Sequence, residues 1–460
     1  MRWGTRRDFL KKGTLATAGF WTGSSLLADH HLEANSKLNI GIIGAGGKGT
    51  SDAAACANEN IVALCDVDLE RAKKTIERFP KAKLYRDYRQ MLDKEKLDAV
   101  TVSTPDHHHA PAALRAMRMG KHVYVQKPLT YTIQEARMMR ETAAKMGVAT
   151  QMGNQGTASS GLRRGAEIIQ SGAIGDVTEI HIWTNRPVWP QGVGRPEGSQ
   201  PIPKHLDWNL WLGPAPERPY HSGYCPFNWR GWVDYGTGAL GDMACHTMNL
   251  PFMACKLGYP TSAEASSSGF NGETWPSRSK IRFDFPARGN MPALIMYWYD
   301  GGELPPKEYT DQMLLPEGGR IPRNKKNLTG KMKLPSSGSF MVGTKGLLYS
   351  PNDYGTRHFL LPQEKFEGYE GPAPWLPRNP EPYGAAHHAE WLRACKGGPK
   401  AMSNFDYSGL LTESMLLGNV AMRYGHRIDW DGEAMKVTNS RSANYLIGRE
   451  YRKGWEIEMS

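Results

Sequence analysis

Long apolar runs are scarce in this sequence. Beyond the amino-terminal stretch, no segment stays apolar for the length that a bilayer-spanning helix needs, which excludes a protein built from membrane helices. Cysteine is sparse as well. Cys56, Cys65, Cys225, Cys245, Cys255 and Cys395 form no CxxC pair and no small-domain framework, so they read as buried small hydrophobes. The histidines lack metal-ligand spacing: His107, His108 and His109 are consecutive and on a helix diverge by about 100° each, and His387 with His388 meets the same objection. No metal site is expected. No basic helix is interleaved with aromatics, and the densest basic run, Arg320 to Lys333, is rich in Pro, Gly and Asn, so nucleic acid is not an expected partner. There is no internal repeat.

What remains is an ordinary globular composition, 40% hydrophobic and 22% charged over 460 residues, enough for two or three domains and a sizeable core. With 50 Gly, 14 Trp and 19 Tyr, the chain is rich in turns and amphipathic rings, a mix suited to flat polar ligands such as sugars. The formal charge is +11, of which the first 28 residues hold +4. Those residues contain Arg6-Arg7-Asp8-Phe9-Leu10-Lys11, followed by a weakly apolar run and small residues near Ala28. That order reads as a twin-arginine export signal over residues 1–28, a pathway that moves folded proteins. The expected location is periplasmic or otherwise exported, with no membrane anchor after cleavage.

Residues 37–158 read as a parallel, doubly wound α/β unit. An unbroken apolar run, "LNIGII", leads into Gly44-Ala45-Gly46-Gly47-Lys48-Gly49 and then a helix, which is G-x-G-x-x-G in the strand-loop-helix setting that gives it meaning. The glycines allow a tight turn and close approach of backbone to a pyrophosphate at the helix amino terminus. A second strand, "NIVALCDVD", ends in Asp66, placed to accept hydrogen bonds from adenosine ribose hydroxyls and to repel a 2′-phosphate. NAD is therefore the expected cofactor. Asp68 is a rival for the ribose, but lies beyond the strand end. Further strands end at Ser103-Thr104-Pro105, at Gln126-Lys127-Pro128 and at Asn154, and such carboxyl ends face the ligand crevice. An ammonium at Lys127 can polarise or deprotonate a hydroxyl there. His107 or His108 either approaches the nicotinamide ribose or caps its helix.

From residue 159 to 460 the texture changes to β-runs separated by Pro/Gly-rich loops, expected as a large open, mixed or mostly antiparallel sheet, followed by helices that pack back on the first domain. Within it, "GTGALGDMACHTMN" places Asp242 and His246 four apart, on one helix face, where a carboxylate can hold an imidazole and leave its other nitrogen as a base. Trp183, Trp189, Trp229 and Trp232 are candidates for stacking on sugar rings.

The segments "GIIGAGGKG", "CDVD", "STPDHHHAPAALRAMRMGKHVYVQKPL" and "GALGDMACHTMN" together resemble the Gfo/Idh/MocA oxidoreductases. The likeness runs from about Lys37 onward, with Gln126 standing where that family usually has Glu and Asn249 where relatives often carry Asp; the Gln is associated with an exported, twin-arginine subgroup. The resemblance implies catalysis by Lys127, Asp242 and His246 on a substrate hydroxyl, with the Gly44–Gly49 loop, Asp66, Ser103, Thr104, Pro105, His108, Gln126, Lys127 and Asn154 at the cofactor. It implies an exported enzyme transferring hydride between a ring carbon of a sugar or glycoside and tightly bound NAD. The alternative is a glycosidase that oxidises transiently, eliminates the aglycone, adds water and returns the hydride. A dimer or tetramer through the sheet is the family expectation.

Overall fold

A computed structural model describes residues 37–316 and 332–457. The twin-arginine segment expected over residues 1–28 lies outside the described residues.

Six strands, β1 (Asn39–Ile43), β2 (Asn60–Cys65), β3 (Lys83–Tyr85), β4 (Ala99–Val102), β5 (His122–Val125) and β6 (Thr150–Met152), form a sheet of order β3-β2-β1-β4-β5-β6. Every pairing in it is parallel. β1 and β4 are buried on both faces, which is why "NIGII" and "AVTV" read as apolar without alternation. The crossover helices start where the sequence supplies caps. Asp68 accepts from Arg71 N at the start of Leu69–Arg78, Asp87 caps Tyr88–Lys94, and Thr132 with Glu135 makes a capping box for Ile133–Met146, which ends at the left-handed Gly147. The chain order reverses between β1 and β4, so the carboxyl ends of these strands open a crevice.

The second sheet has nine strands: β7 (Val177–Trp183), β8 (Ser262–Ser267), β9 (Ser279–Phe285), β10 (Leu294–Asp300), then, past the two short strands β11 (Leu315–Pro316) and β12 (Met332–Lys333) that pair with each other, β13 (Gly338–Gly343), β14 (Gly346–Ser350), β15 (Phe359–Leu361), β16 (Ile428–Asp431) and β17 (Lys436–Val437). Its order is β15-β14-β13-β7-β10-β9-β8-β16-β17, antiparallel except for β7 with β10. In β9, alternate residues are buried, as period-two patterning requires of a sheet with one face on a core. The core face meets the helix Phe405–Tyr424, buried for most of its length, which also packs on Ile133–Met146 of the first sheet. Arg137 and buried Glu413 tie the two helices together at 2.8 Å. On the other face, Trp183, Tyr299, Phe340 and Tyr349 are covered with Met313 from the excursion that follows β10. Trp183 is therefore core and stacks on no ligand. The excursion between β7 and the helix Gly238–Thr247 carries its own aromatic cluster, including Trp208, Trp211, Tyr224 and Trp232, so Trp232 is packing as well.

All six cysteines are buried and unpaired. Among the described residues, no helix is long and apolar enough to cross a membrane, and no group of His, Cys, Asp and Glu could hold a metal ion.

Candidate active site

One cavity of about 480 Å³ runs along the carboxyl ends of the parallel strands and into the wall of the second domain. β1 delivers the chain to Gly44, whose φ of +78° is open to glycine and strained for other residues. A side chain at Gly49 would meet the Gly44 carbonyl oxygen at 1.7 Å, so helix and loop can touch only through glycine. Gly44, Gly46 and Lys48 line the cavity; Ala45, Gly47 and Gly49, assigned with them to the cofactor, shape the loop without forming its wall. Asp66 follows β2 directly, accepts from Gly46 N at 2.8 Å and Asp68 N at 2.9 Å, and faces the cavity. Burial pushes its carboxyl up to about 6 against those two hydrogen bonds. Asp68 caps the next helix through Arg71 N and also lines the cavity, just beyond the strand end.

Ser103, Thr104 and Pro105 line the cavity where β4 ends, and the Thr104 hydroxyl there is buried without a partner. Asn154 does not reach it. Its amide donates to Cys245 O at 3.3 Å and accepts from the Ser403 hydroxyl, so the expected cofactor contact is replaced by a link between elements. The three histidines lie in the first turn of Asp106–Arg118 and none caps it. His107 and His109 each face two carbonyls, whereas His108 donates to Trp211 O at 2.8 Å and also lines the cavity. Burial depresses the His108 imidazole to about 4, so it stands there neutral.

At the other end, β5 presents Gln126 and Lys127. The Lys127 ammonium donates to Asp242 Oδ1 at 2.6 Å and to the Asp242 carbonyl at 3.1 Å. Asp242 sits in the helix Gly238–Thr247 and also meets Arg230 Nε at 3.2 Å and Arg186 Nε at 3.7 Å. Burial alone would raise the Asp242 carboxyl, but Lys127 and Arg230 outweigh it and hold it well below the usual carboxylate range. This corrects the expected Asp242–His246 pair. The carboxylate is taken by cations from other elements, and sharing a helix face did not make it the partner of the imidazole. His246 instead stands edge-on to Tyr354, ring centres 4.7 Å apart, with Nδ1 buried and unpartnered. Burial, then the Lys127 charge, hold its pKa well below the usual value, with Asp242 pulling the other way, so a neutral imidazole faces the cavity.

Sequence reasoning missed Arg230, Arg186 and Tyr354, which line this half, and Asp106, which pairs with Arg230 at 2.9 Å. Arg230 lies over Trp229 at 4.3 Å. "NWRGW" carries an arginine between aromatics, but nothing in its spacing shows the two carboxylates that neutralise it. Trp189 and Trp229 do line the cavity. Asp52, also missed, is fully buried below the crevice. It accepts from Lys48 at 2.7 Å, Ser103 at 2.8 Å and Gln126 at 2.8 Å, and meets His388 Nε2 at 3.2 Å. Burial raises its carboxyl, yet His388 and Lys48 bring it down to about 2.

These residues fit a dinucleotide: a glycine-rich loop at a helix start, a carboxylate at the end of the second strand, and an orphaned hydroxyl at Thr104 share one cavity of ligand size. Comparison with known proteins agrees. Residues 38–154 match the family described as "Oxidoreductase family, NAD-binding Rossmann fold", and residues 169–258 match its "C-terminal alpha/beta domain". A glycosyl hydrolase family 109 protein of Shewanella baltica is 31% identical over 169 residues, covering 30% of this chain and 37% of that one. Inositol 2-dehydrogenase of Salmonella typhimurium is 29% identical over 150 residues, covering 31% of this chain and 45% of that one. The match thus spans less than half the length of either relative. The WlbA dehydrogenase of Bordetella pertussis, solved with NADH and UDP-GlcNAcA, shares the fold at a TM-score of 0.58 and 15% identity, covering 86% of this chain and 99% of that one.

Proposed function

The chain belongs to the Gfo/Idh/MocA oxidoreductase family and binds NAD, and on that premise we propose that it moves hydride between a ring carbon of a sugar or glycoside and NAD held in the crevice. The observation that carries this reading is the single cavity in which Asp66 and Gly46 lie at one end and Lys127, Asp242 and His246 at the other. Gly44, Gly46, Asp66, Ser103 and Thr104 would hold the dinucleotide, which when bound supplies the hydride acceptor. His246, neutral and with a free nitrogen, takes the hydroxyl proton. Lys127 then donates to the developing alkoxide, and Asp242 fixes the ammonium in place rather than fixing the imidazole. Lys127 and Arg230 keep Asp242 ionised against its burial, so it does not compete for the substrate proton. Trp189 and Trp229 offer ring faces to the sugar.

Relatives named as dehydrogenases support net oxidation. The glycosyl hydrolase relative favours a second reading on the same residues: oxidation, elimination of the aglycone after loss of the adjacent C–H proton, addition of water, and return of the hydride. Export by the twin-arginine route, supported by Arg6 and Arg7, fits a cofactor bound before secretion and assembly as a homo-oligomer is part of the same proposal. Incubating the purified protein with a panel of glycosides and weighing the products tests both readings. A product lighter by two hydrogens means net oxidation, a cleaved glycoside with a normal sugar means net hydrolysis, and neither, with NAD bound, would contradict the proposal.

A further inference from the structure

Both matched family segments end by residue 258, yet the crevice is also lined by a residue nearly two hundred positions beyond them. Trp455 lines the same cavity as Asp66 and is 9% exposed. The segment that carries it is anchored to four separate elements. Arg449 donates to His107 O at 2.6 Å and pairs with Glu135 at 2.6 Å. Arg452 donates to Gly213 O at 2.7 Å and to Asn209 Oδ1 at 2.8 Å, while its backbone N–H bonds Pro214 O at 3.1 Å. Arg89 donates to Gly454 O at 3.2 Å and lays its guanidinium over the indole at 4.0 Å.

The surroundings say which half of the dinucleotide Trp455 meets. Its ring stands edge-on to Tyr88 at 6.2 Å and to His108 at 5.6 Å. Tyr88, Asp87 and Val67 belong to the cavity wall beside Asp66, the ribose acceptor, whereas Lys127 marks the opposite, reacting end. Arg89 lies over the indole at 4.0 Å and Arg452 at 5.9 Å, so the ring that lines the cavity is aromatic and backed by cations. A purine ring is the group that such a surface binds by stacking.

We propose that Arg449–Ile457 is a strap across the adenosine end of the cofactor crevice, with Trp455 packed against the adenine and responsible for retaining NAD. The strap goes beyond the assignment of hydride transfer, since it concerns cofactor retention and holds whichever sugar reacts.

The test measures binding by calorimetry for NAD, ADP-ribose and nicotinamide mononucleotide, with melting temperature as the check on folding. Trp455→Ala is expected to weaken NAD and ADP-ribose alike by about tenfold or more, to leave nicotinamide mononucleotide unchanged, and to be rescued to within about threefold by Trp455→Phe. Trp455→Leu keeps an apolar wall and gives the same comparison should the alanine variant not fold. Unchanged NAD affinity in a folded Trp455→Ala or Trp455→Leu protein would overturn the strap while leaving the proposed reaction standing. Equal losses for all three ligands would also overturn it, since a general loosening does not select the adenosine half. A wild-type protein that binds none of the three would overturn the cofactor site and the strap together.

Discussion

Lys127 and Asp242 meet at 2.6 Å, joining the end of a parallel strand to a helix 115 residues further along the chain. The pair is mostly shielded, with side-chain exposures of 18% and 9%, and two arginines stand behind the carboxylate. Such an arrangement holds the ammonium at one point while the imidazole of His246 stays neutral beside it. The roles can be separated by substitution. Lys127→Met and His246→Ala are each expected to lower turnover about a hundredfold or more with NAD affinity retained. Asp242→Asn keeps the shape but frees the ammonium, and is expected to lower kcat and leave KM within about threefold. Steady-state kinetics and NAD titration of the three variants check this; a Asp242→Asn enzyme with wild-type kcat would show that the pair does no positioning.

Asp66 is expected to make NAD binding depend on pH. Its carboxyl is raised to about 6 in the free site, and only the ionised form accepts hydrogen bonds from two ribose hydroxyls. Affinity should therefore be constant above neutrality and fall as pH drops below about 6, by up to tenfold per unit, because protons then compete with the cofactor. Asp66→Asn should bind NAD more weakly and without that slope. Calorimetry from acid to neutral pH is the measurement, and a flat wild-type profile would contradict the assignment of Asp66.

Gln126 donates an amide hydrogen to Asp52 at 2.8 Å, a bond that a carboxylate could not make. Gln126→Glu would set two carboxylates at that distance in a buried site, and is expected to destabilise the fold by about 3 kcal/mol or more. Asp52→Asn with Gln126→Glu removes the like-charge contact and should recover part of the loss, the rest being the bonds of Lys48 and His388 to the carboxylate. Denaturant unfolding of both variants decides it, and a double variant no better than the single one would show that the two positions are uncoupled.

Asp300 bears on stability alone. Burial raises its carboxyl to about 7 even though Trp298 and Ser279 donate to one oxygen, and the other oxygen has no partner. Folded Asp300 therefore holds a proton that the unfolded chain releases near pH 4, so its contribution is greatest below that pH and is lost as pH rises toward 7, by up to about 4 kcal/mol. Asp300→Asn should flatten the fall in melting temperature across this window. Identical pH profiles for the two proteins would contradict it.

The first domain was legible because its signals are local: an apolar strand, a glycine loop and a terminal carboxylate follow one another within thirty residues or so, and caps such as Asp68 and Thr132 mark the helices. Lys127, Asp242 and His246 were found through motifs, but their pairing was not. A spacing of four places Asp242 and His246 on one face, whereas the stronger partners of Asp242 come from β5, from residue 186 and from residue 230, which only the fold brings together. Asn154 was misplaced for the same reason: the strand end does face the crevice, yet Ser403 and Cys245 arrive from elsewhere to occupy its amide. Asp52 and Trp455 belong to no motif. Their meaning lies in contacts across more than three hundred residues, such as Asp52 with His388 and Arg89 with Trp455.

The most direct test of hydride transfer in this crevice is rapid mixing of the NAD-loaded protein with glycosides while following the near-ultraviolet absorbance of reduced nicotinamide. The account expects that absorbance to appear within a single turnover in the wild type, to persist for a net oxidation or decay again for a net hydrolysis, and to be absent in Lys127→Met. Turnover of a glycoside with NAD bound and no reduced nicotinamide at any time would contradict it.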